Sequence, residues 1–225
     1  MQRSYTPEIM DDFSINDERI DKALSELKYI NTFLGGNSTS IAGFNEVLKF
    51  IPANVKLKIL DAGSGASDIF LSLRNLNEKS EIFSMDINPR ACRFIRANSQ
   101  EFSIICGDIL KFPIKNDSCD IAHASLFLHH FSEEKIKQIL KSLINSSKYA
   151  VIINDLRRSI LAYWGIKILT LFFSNSNMVK NDAPLSVKRA FVKNDLLKIF
   201  KSLDIKHYKV KRKWAFRWLI IIYKN

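Results

Sequence analysis

The chain has 225 residues, 47% of them apolar, with seven glycines and five prolines, which fits one globular domain with a small appendage and excludes long disordered stretches. Its net charge of +11 is uneven: residues 1–155 carry 18 Lys and Arg against 20 Asp and Glu, and residues 156–225 carry 16 against 3, so only the last third attracts phosphate, nucleic acid, anionic lipid or anionic substrates. Three cysteines without a CxxC pair exclude a disulfide framework and a zinc site, residues 1–21 are too polar and acidic for a signal peptide, and no apolar run is long enough to cross a bilayer, so a cytoplasmic protein is expected. In chain order, Ile20, Ala23, Leu24, Leu27, Ile30 and Leu34 recur at helical spacing and predict a helix over 16–34, stopped by Gly35-Gly36. A short helix over 38–51 ends before Pro52. Then follow a strand at 57–61, a helix at 67–76, a strand at 81–85, a helix at 89–98 and a strand at 103–106. After a loop come a strand at 118–124, a helix at 132–145 capped by Ser132, and a strand at 149–153. Strands alternating with helices at this spacing predict an α/β fold with a doubly wound, mostly parallel sheet. The pattern then breaks for a strongly apolar helix over 160–173, which the polar residues 174–177 end. A helix at 193–202 and strands at about 205–212 and 215–223, joined by a hairpin around 211–214, close the chain.

The most informative stretch is the turn after the first strand, Asp61-Ala62-Gly63-Ser64-Gly65-Ala66-Ser67-Asp68. Gly63 and Gly65 allow a sharp turn and close approach of a ligand to the backbone, and Ser67 fits an N-cap. In an open α/β sheet, ligands sit beyond the carboxyl ends of the strands. Asp86 ends the second strand, where a carboxylate can accept both hydroxyls of a ribose. Asp108 follows the third, placed to accept from an adenine amino group. A nicotinamide fingerprint would have a third glycine where Asp68 stands, and Asp68 would repel a pyrophosphate at the helix N-terminus. The turn therefore prefers a nucleoside ligand without phosphates.

These residues resemble the class I S-adenosylmethionine (SAM)-dependent methyltransferases. The family's acidic-x-Gly-x-Gly turn is similar to Asp61-Ala62-Gly63-Ser64-Gly65, its ribose-binding acid to Asp86 and its adenine-binding acid to Asp108 in Cys106-Gly107-Asp108. Residues 110–113 before Asp117-Ser118-Cys119-Asp120 are similar to its lead-in to the fourth strand. The third small position is Ser67, a departure from glycine. The resemblance covers roughly 55–155. It implies a seven-stranded Rossmann-like sheet with an antiparallel last strand, an N-terminal helical cap (1–54), a SAM-binding core (55–155), a helical lid insertion (156–192) and a closing helix with strands (193–225). It implies SAM as cofactor, S-adenosylhomocysteine (SAH) as product and no metal. Cofactor-binding candidates are Asp61, Gly63, Ser64, Gly65, Asp86, Ile87, Asp108, Ile109 and Ser125. Leu128-His129-His130-Phe131 looks like the branch of quinone-biosynthesis and natural-product methyltransferases; Glu8-Ile9-Met10-Asp11-Asp12 and Leu34-Gly35-Gly36 look like those accompanying aromatic polyketide pathways.

A small aromatic or lipophilic acceptor is the implied partner. Methyl transfer needs mainly positioning and desolvation, with a base only where the acceptor must lose a proton. His129 and His130 are the catalytic candidates, and Asp155, Arg157, Arg158, Tyr163 and Trp164 the substrate candidates. Each also has a plain structural explanation: helix-start packing for the histidines, solvated charge for the arginines. Tyr5 and Met10 are candidates for an N-terminal lid, whereas His123 and His207 read as structural. The helix over 160–173 reads as a lid over a dry pocket, with a homodimer face, a membrane-surface helix or plain core as alternatives. The basic last third raises an RNA-modifying methyltransferase as rival. The sequence disfavours nucleic acid: it has neither a polar-Pro-Pro-aromatic element after the fourth strand nor a Pro-Cys pair. A non-catalytic SAM-binding protein is a third class.

Overall fold

A computed structural model describes residues 1–52, 54–67, 69–70, 80–98 and 101–224. Five parallel strands form the body of one sheet: β1 (Leu57–Ala62), β2 (Ser80–Asp86), β3 (Ser103–Cys106), β4 (Cys119–Ser125) and β5 (Ser147–Leu156). Two more, β6 (Tyr208–Lys213) and β7 (Arg217–Tyr223), complete it in the order β3-β2-β1-β4-β5-β7-β6. β7 runs antiparallel to β5 and to β6, which accounts for the antiparallel last strand expected from the sequence. The order reverses between β1 and β4, and a crevice opens beyond their carboxyl ends.

Seven α-helices are described: α1 (Glu18–Phe33), α2 (Gly36–Val47), α3 (Pro89–Asn98), α4 (Glu133–Ser146), α5 (Ile160–Phe173), α6 (Asn177–Arg189) and α7 (Lys193–Ser202). Period-2 alternation in β5 and β7 builds two cores. Ala150, Ile152, Leu219 and Ile221 pack with Phe44 and Val47 of α2 and with Ile95 of α3. Val151, Ile153, Ile220 and Ile222 pack on the opposite face with Ile136, Ile139 and Leu143 of α4 and with Ile199 and Phe200 of α7. A third cluster joins Ile20, Ala23 and Leu24 of α1 to Ala66, Ala91, Met178 and Val179.

Several local expectations change. α2 begins at Gly36, because Gly35 takes a left-handed φ of +74° and restarts the chain; a Cβ there would lie 2.2 Å from the Trp214 carbonyl oxygen. The hydroxyl of Ser67 turns inward to Ser84 Oγ (2.8 Å) and Asp61 Oδ2 (3.3 Å), so it ties the turn to the strand ends. The expected helix over 67–76 falls largely outside the described residues, and Asp68 lies outside them too. Helix α6 was not anticipated; Ser176 caps it by accepting from Val179 N–H (3.3 Å). The final hairpin turns over 214–216, so its second strand starts at Arg217 and not at 215. Lys209 and Lys211 on β6 each donate to Glu46 of α2 at 2.7 Å. Among the described residues, no helix is long and apolar enough to cross a membrane.

Candidate active site

The glycine turn is shaped by what surrounds it. Gly63 (φ +65°) and Ser64 both donate their N–H groups to the Met85 carbonyl, at 2.9 and 3.1 Å. The Phe127 ring lies so close to Gly63 that a Cβ would come within 2.0 Å of it. Above Gly65 (φ +53°) there is space: an added Cβ would meet only Leu24 Cδ2, at 3.9 Å. Gly65 N–H donates to Asp86 Oδ2 (2.9 Å) and Asn88 N–H to Oδ1 (2.8 Å), so each oxygen keeps a further lone pair for a ligand hydroxyl. Burial pushes the Asp86 carboxyl above its ordinary pKa, against the pull of those two hydrogen bonds. Asp108 Oδ1 accepts from Leu110 N–H (3.0 Å), which fixes its own turn. The Ser64 hydroxyl is buried without a protein partner. Asp61 is engaged from behind: Oδ1 pairs with His123 Nδ1 (2.7 Å), whose Nε2 pairs with Ser40 Oγ (2.9 Å). That chain ties the turn to α2.

A second polar group lies across the crevice. Asp155 near the end of β5 is fully buried and accepts from Leu156 N–H (2.7 Å) and His129 N–H (3.2 Å). Its Oδ1 lies 2.7 Å from His129 Nδ1. Burial alone would raise the Asp155 carboxyl, but the His129 imidazole holds it below its ordinary value. A carboxylate can only accept, so Nδ1 carries the hydrogen of that bond. The ring's Nε2 is buried without a hydrogen-bond partner, and the equally unpartnered Glu8 Oε1 lies 3.7 Å away.

Glu8 arrives on an N-terminal strap tied to α6. Ile9 and Met10 donate to the Asp182 carboxylate (2.8 and 3.0 Å), and Ser4 N–H to the Lys188 carbonyl (3.0 Å). Burial raises Glu8 from 4.5 to about 7, against His130 and Arg189. Burial would also raise Asp11, but a hydrogen bond from His130 (2.7 Å) and the Arg189 guanidinium hold it well below the usual range. Arg189 pairs with Asp11 and lies 3.7 Å from Glu8, and it donates to the carbonyls of His129 and His130. Glu8, His129 and His130 offer ligand atoms within 4.8 Å of one another, as a metal site would. Arg189 already sets a positive charge against that Glu8 carboxylate.

A cavity of about 790 Å³ joins the two groups, in the range of small-molecule sites. Strand ends and the glycine turn line one side; Glu8, His129, Arg189 and the apolar Leu161, Ile166 and Leu169 of α5 line the other. A family model described as a methyltransferase domain matches residues 59–148, which contain the turn, Asp86, Asp108 and both histidines. Residues 59–148 thus match a methyltransferase domain, and the fold around them is a Rossmann-like methyltransferase fold. Solved structures share the fold at low identity. The plantazolicin methyltransferase in complex with a pentazolic desmethyl analogue and SAH is 16% identical, with 95% of this chain and 93% of that one covered and a TM-score of 0.70. Human N-acetylserotonin methyltransferase in complex with SAM is 16% identical over 100% of this chain and 63% of that one, with a TM-score of 0.65. Magnesium protoporphyrin IX methyltransferase from Synechocystis PCC 6803 with bound SAM is 12% identical over 88% and 84%, with a TM-score of 0.58. No curated protein matches the chain in sequence.

In this methyltransferase fold, Asp61, Gly63, Ser64, Gly65, Asp86, Ile87, Asp108, Ile109 and Ser125 all border the cavity, as do His129, His130, Tyr5 and Met10. Five residues expected at the substrate do not line it. Asp155 lies behind His129 and orients it. Arg157 stacks on the Phe216 ring at 5.1 Å, and Arg158 pairs with Asp195 at 3.1 Å and donates to the Ala190 carbonyl. Both arginines brace the end of β5. Tyr163 and Trp164 pack edge to face at 5.4 Å, and Trp164 is 52% exposed. The helical period explains this: positions 161, 162, 165, 166 and 169 share the cavity face, which leaves 163 and 164 to either side. Glu8, Asp11 and Arg189 were not foreseen as site residues. The segment around Glu8 carries a family resemblance in the sequence, but nothing local marks Arg189.

Proposed function

We propose that this chain transfers the methyl group of SAM to a small aromatic or lipophilic acceptor that loses a proton in the reaction, such as a phenol or an enol. The observation that carries this reading is the buried His129–Asp155 pair, whose histidine borders the cavity and whose Nε2 has no hydrogen-bond partner. The apolar wall from α5 favours a flat, lipophilic acceptor, and the solved relatives named above include methyltransferases whose ligands are small molecules.

The cofactor fits the strand-end side. Asp86 would take the ribose hydroxyls, Asp108 and the adjacent Ile109 the adenine, and the open space over Gly65 the nucleoside chain. When bound, SAM supplies an electrophilic methyl on a sulfonium, and the broken C–S bond leaves its electron pair on sulfur. His129 Nε2 accepts the acceptor's proton as the new bond to the methyl forms. Asp155 fixes the ring's orientation and offsets the charge of the imidazolium. The strap and α5 exclude water, so the nucleophile stays poorly solvated.

A screen of phenols, quinols and alkylresorcinols with SAM, read by acceptor mass gain and SAH release, tests this. Methylation of at least one class, lost in His129→Gln with SAM binding retained, is the expected result. SAM binding with no turnover of any acceptor would favour the non-catalytic reading, and a full rate in His129→Gln would remove the base.

A further inference from the structure

We infer that α5 is a docking surface for an anionic lipid bilayer, laid in the interface with the mouth of the cavity beside it. A soluble helix normally turns apolar side chains inward and polar ones to water. Here the reverse holds: Leu161, Trp164, Ile168, Leu171, Phe172 and Phe173 are between 52% and 82% exposed, while only Ala162 and Thr170 are buried. An apolar stripe of this kind on a surface helix marks an interaction site.

Charge identifies the occupant. Lys167 lies on the same helix, folded over the Trp164 ring at 5.0 Å, and Lys188 of α6 lies over Tyr163 at 4.7 Å. Among the described residues, no carboxylate comes within ion-pair distance of Lys167, Lys180 or Lys188, whereas Arg189, next to Lys188 on the same helix, is paired with Asp11. Uncompensated positive charge therefore borders the apolar stripe. An interfacial helix with lysines at its border is suited to anionic headgroups, to which each lysine adds attraction. A second copy fits poorly: a twofold contact would set this basic surface against itself. Continuity with the cavity adds a functional sense, since Leu161 and Leu169 of α5 line it together with Trp214, itself 73% exposed. An acceptor dissolved in the bilayer would meet the mouth directly.

The test uses the full chain with vesicles of phosphatidylcholine, alone or with about one quarter phosphatidylglycerol. Flotation should show partition at least about ten-fold stronger onto the anionic vesicles, weakening as salt rises. The variant Leu171→Gln/Phe172→Gln/Phe173→Gln, at positions outside the cavity, should lose about ten-fold or more in partition while binding SAM like the wild type, and Lys167→Glu should lose only the anionic preference. SAM affinity in the same samples reports separately on the methyltransferase reading. Absence of flotation overturns the proposal. So does flotation unchanged in the triple variant, a wild-type dimer that the triple variant converts to monomer, or binding of an RNA oligonucleotide in preference to vesicles.

Discussion

The two sides of the cavity are built in opposite ways. The cofactor side consists of turns that follow strands, so each functional group is placed by backbone within a few residues: Asp86 is held by Gly65 and Asn88, and Asp108 by Leu110. The acceptor side is assembled from distant pieces: a strap from the N-terminus, a loop after β4, the end of β5 and the last residue of α6. The Arg189–Asp11 pair alone joins residues 178 positions apart. Damage to the first side should therefore appear in ligand affinity. Damage to the second should spread through catalysis and stability together.

The largest expected effect is on rate. His129→Gln should lower kcat by about 10²–10⁴-fold and leave SAM affinity within about two-fold of wild type, by steady-state kinetics and calorimetry. A matching loss of SAM affinity would show that the two sides are not separable. Next, Arg189→Met leaves Glu8 and Asp11 without their buried cation and should cost about 3–5 kcal/mol in denaturant unfolding, with activity lost as the strap detaches. Asp86→Ala should weaken SAM binding by about 100-fold, the value of two hydrogen bonds to a charged acceptor, with little change in melting temperature. A last effect depends on pH. Glu8 holds its proton up to about pH 7 in the folded chain and only to its ordinary 4.5 when unfolded. The proton thus favours folding below pH 4.5, and that contribution is lost as pH rises through 7. Glu8→Gln mimics the protonated form, so its stability should match wild type near pH 4 and exceed it increasingly toward pH 8, by up to roughly 3 kcal/mol. A constant difference across that range would place Glu8 in water.

The same contrast explains what the sequence revealed. The succession of strands and helices through β5, the glycine turn, Asp86 and Asp108 were legible because hydrophobic period and local turn chemistry decide them. His129 and His130 were legible as residues after β4, but Asp155 could not be read as the partner of His129, since that pairing depends on how β4 and β5 lie side by side. Helix α6 was hidden by Pro184 within it and by a polar start at Asn177; tertiary packing of Met178, Val179 and Val187 outweighs both. With α6 unread, Arg189 had no address. The exposure of α5 was equally beyond reach, because its apolar composition is the same whether a helix is covered or bare.

The rims of the sheet carry one last consequence. β3 offers only four residues at one end, and β6 at the other carries Lys209 and Lys211, held by Glu46 of α2. A strand from another molecule seeking to extend the sheet would find too short a template on one margin and a row of ammonium groups on the other. Both margins of the sheet thus discourage growth by edge-to-edge pairing.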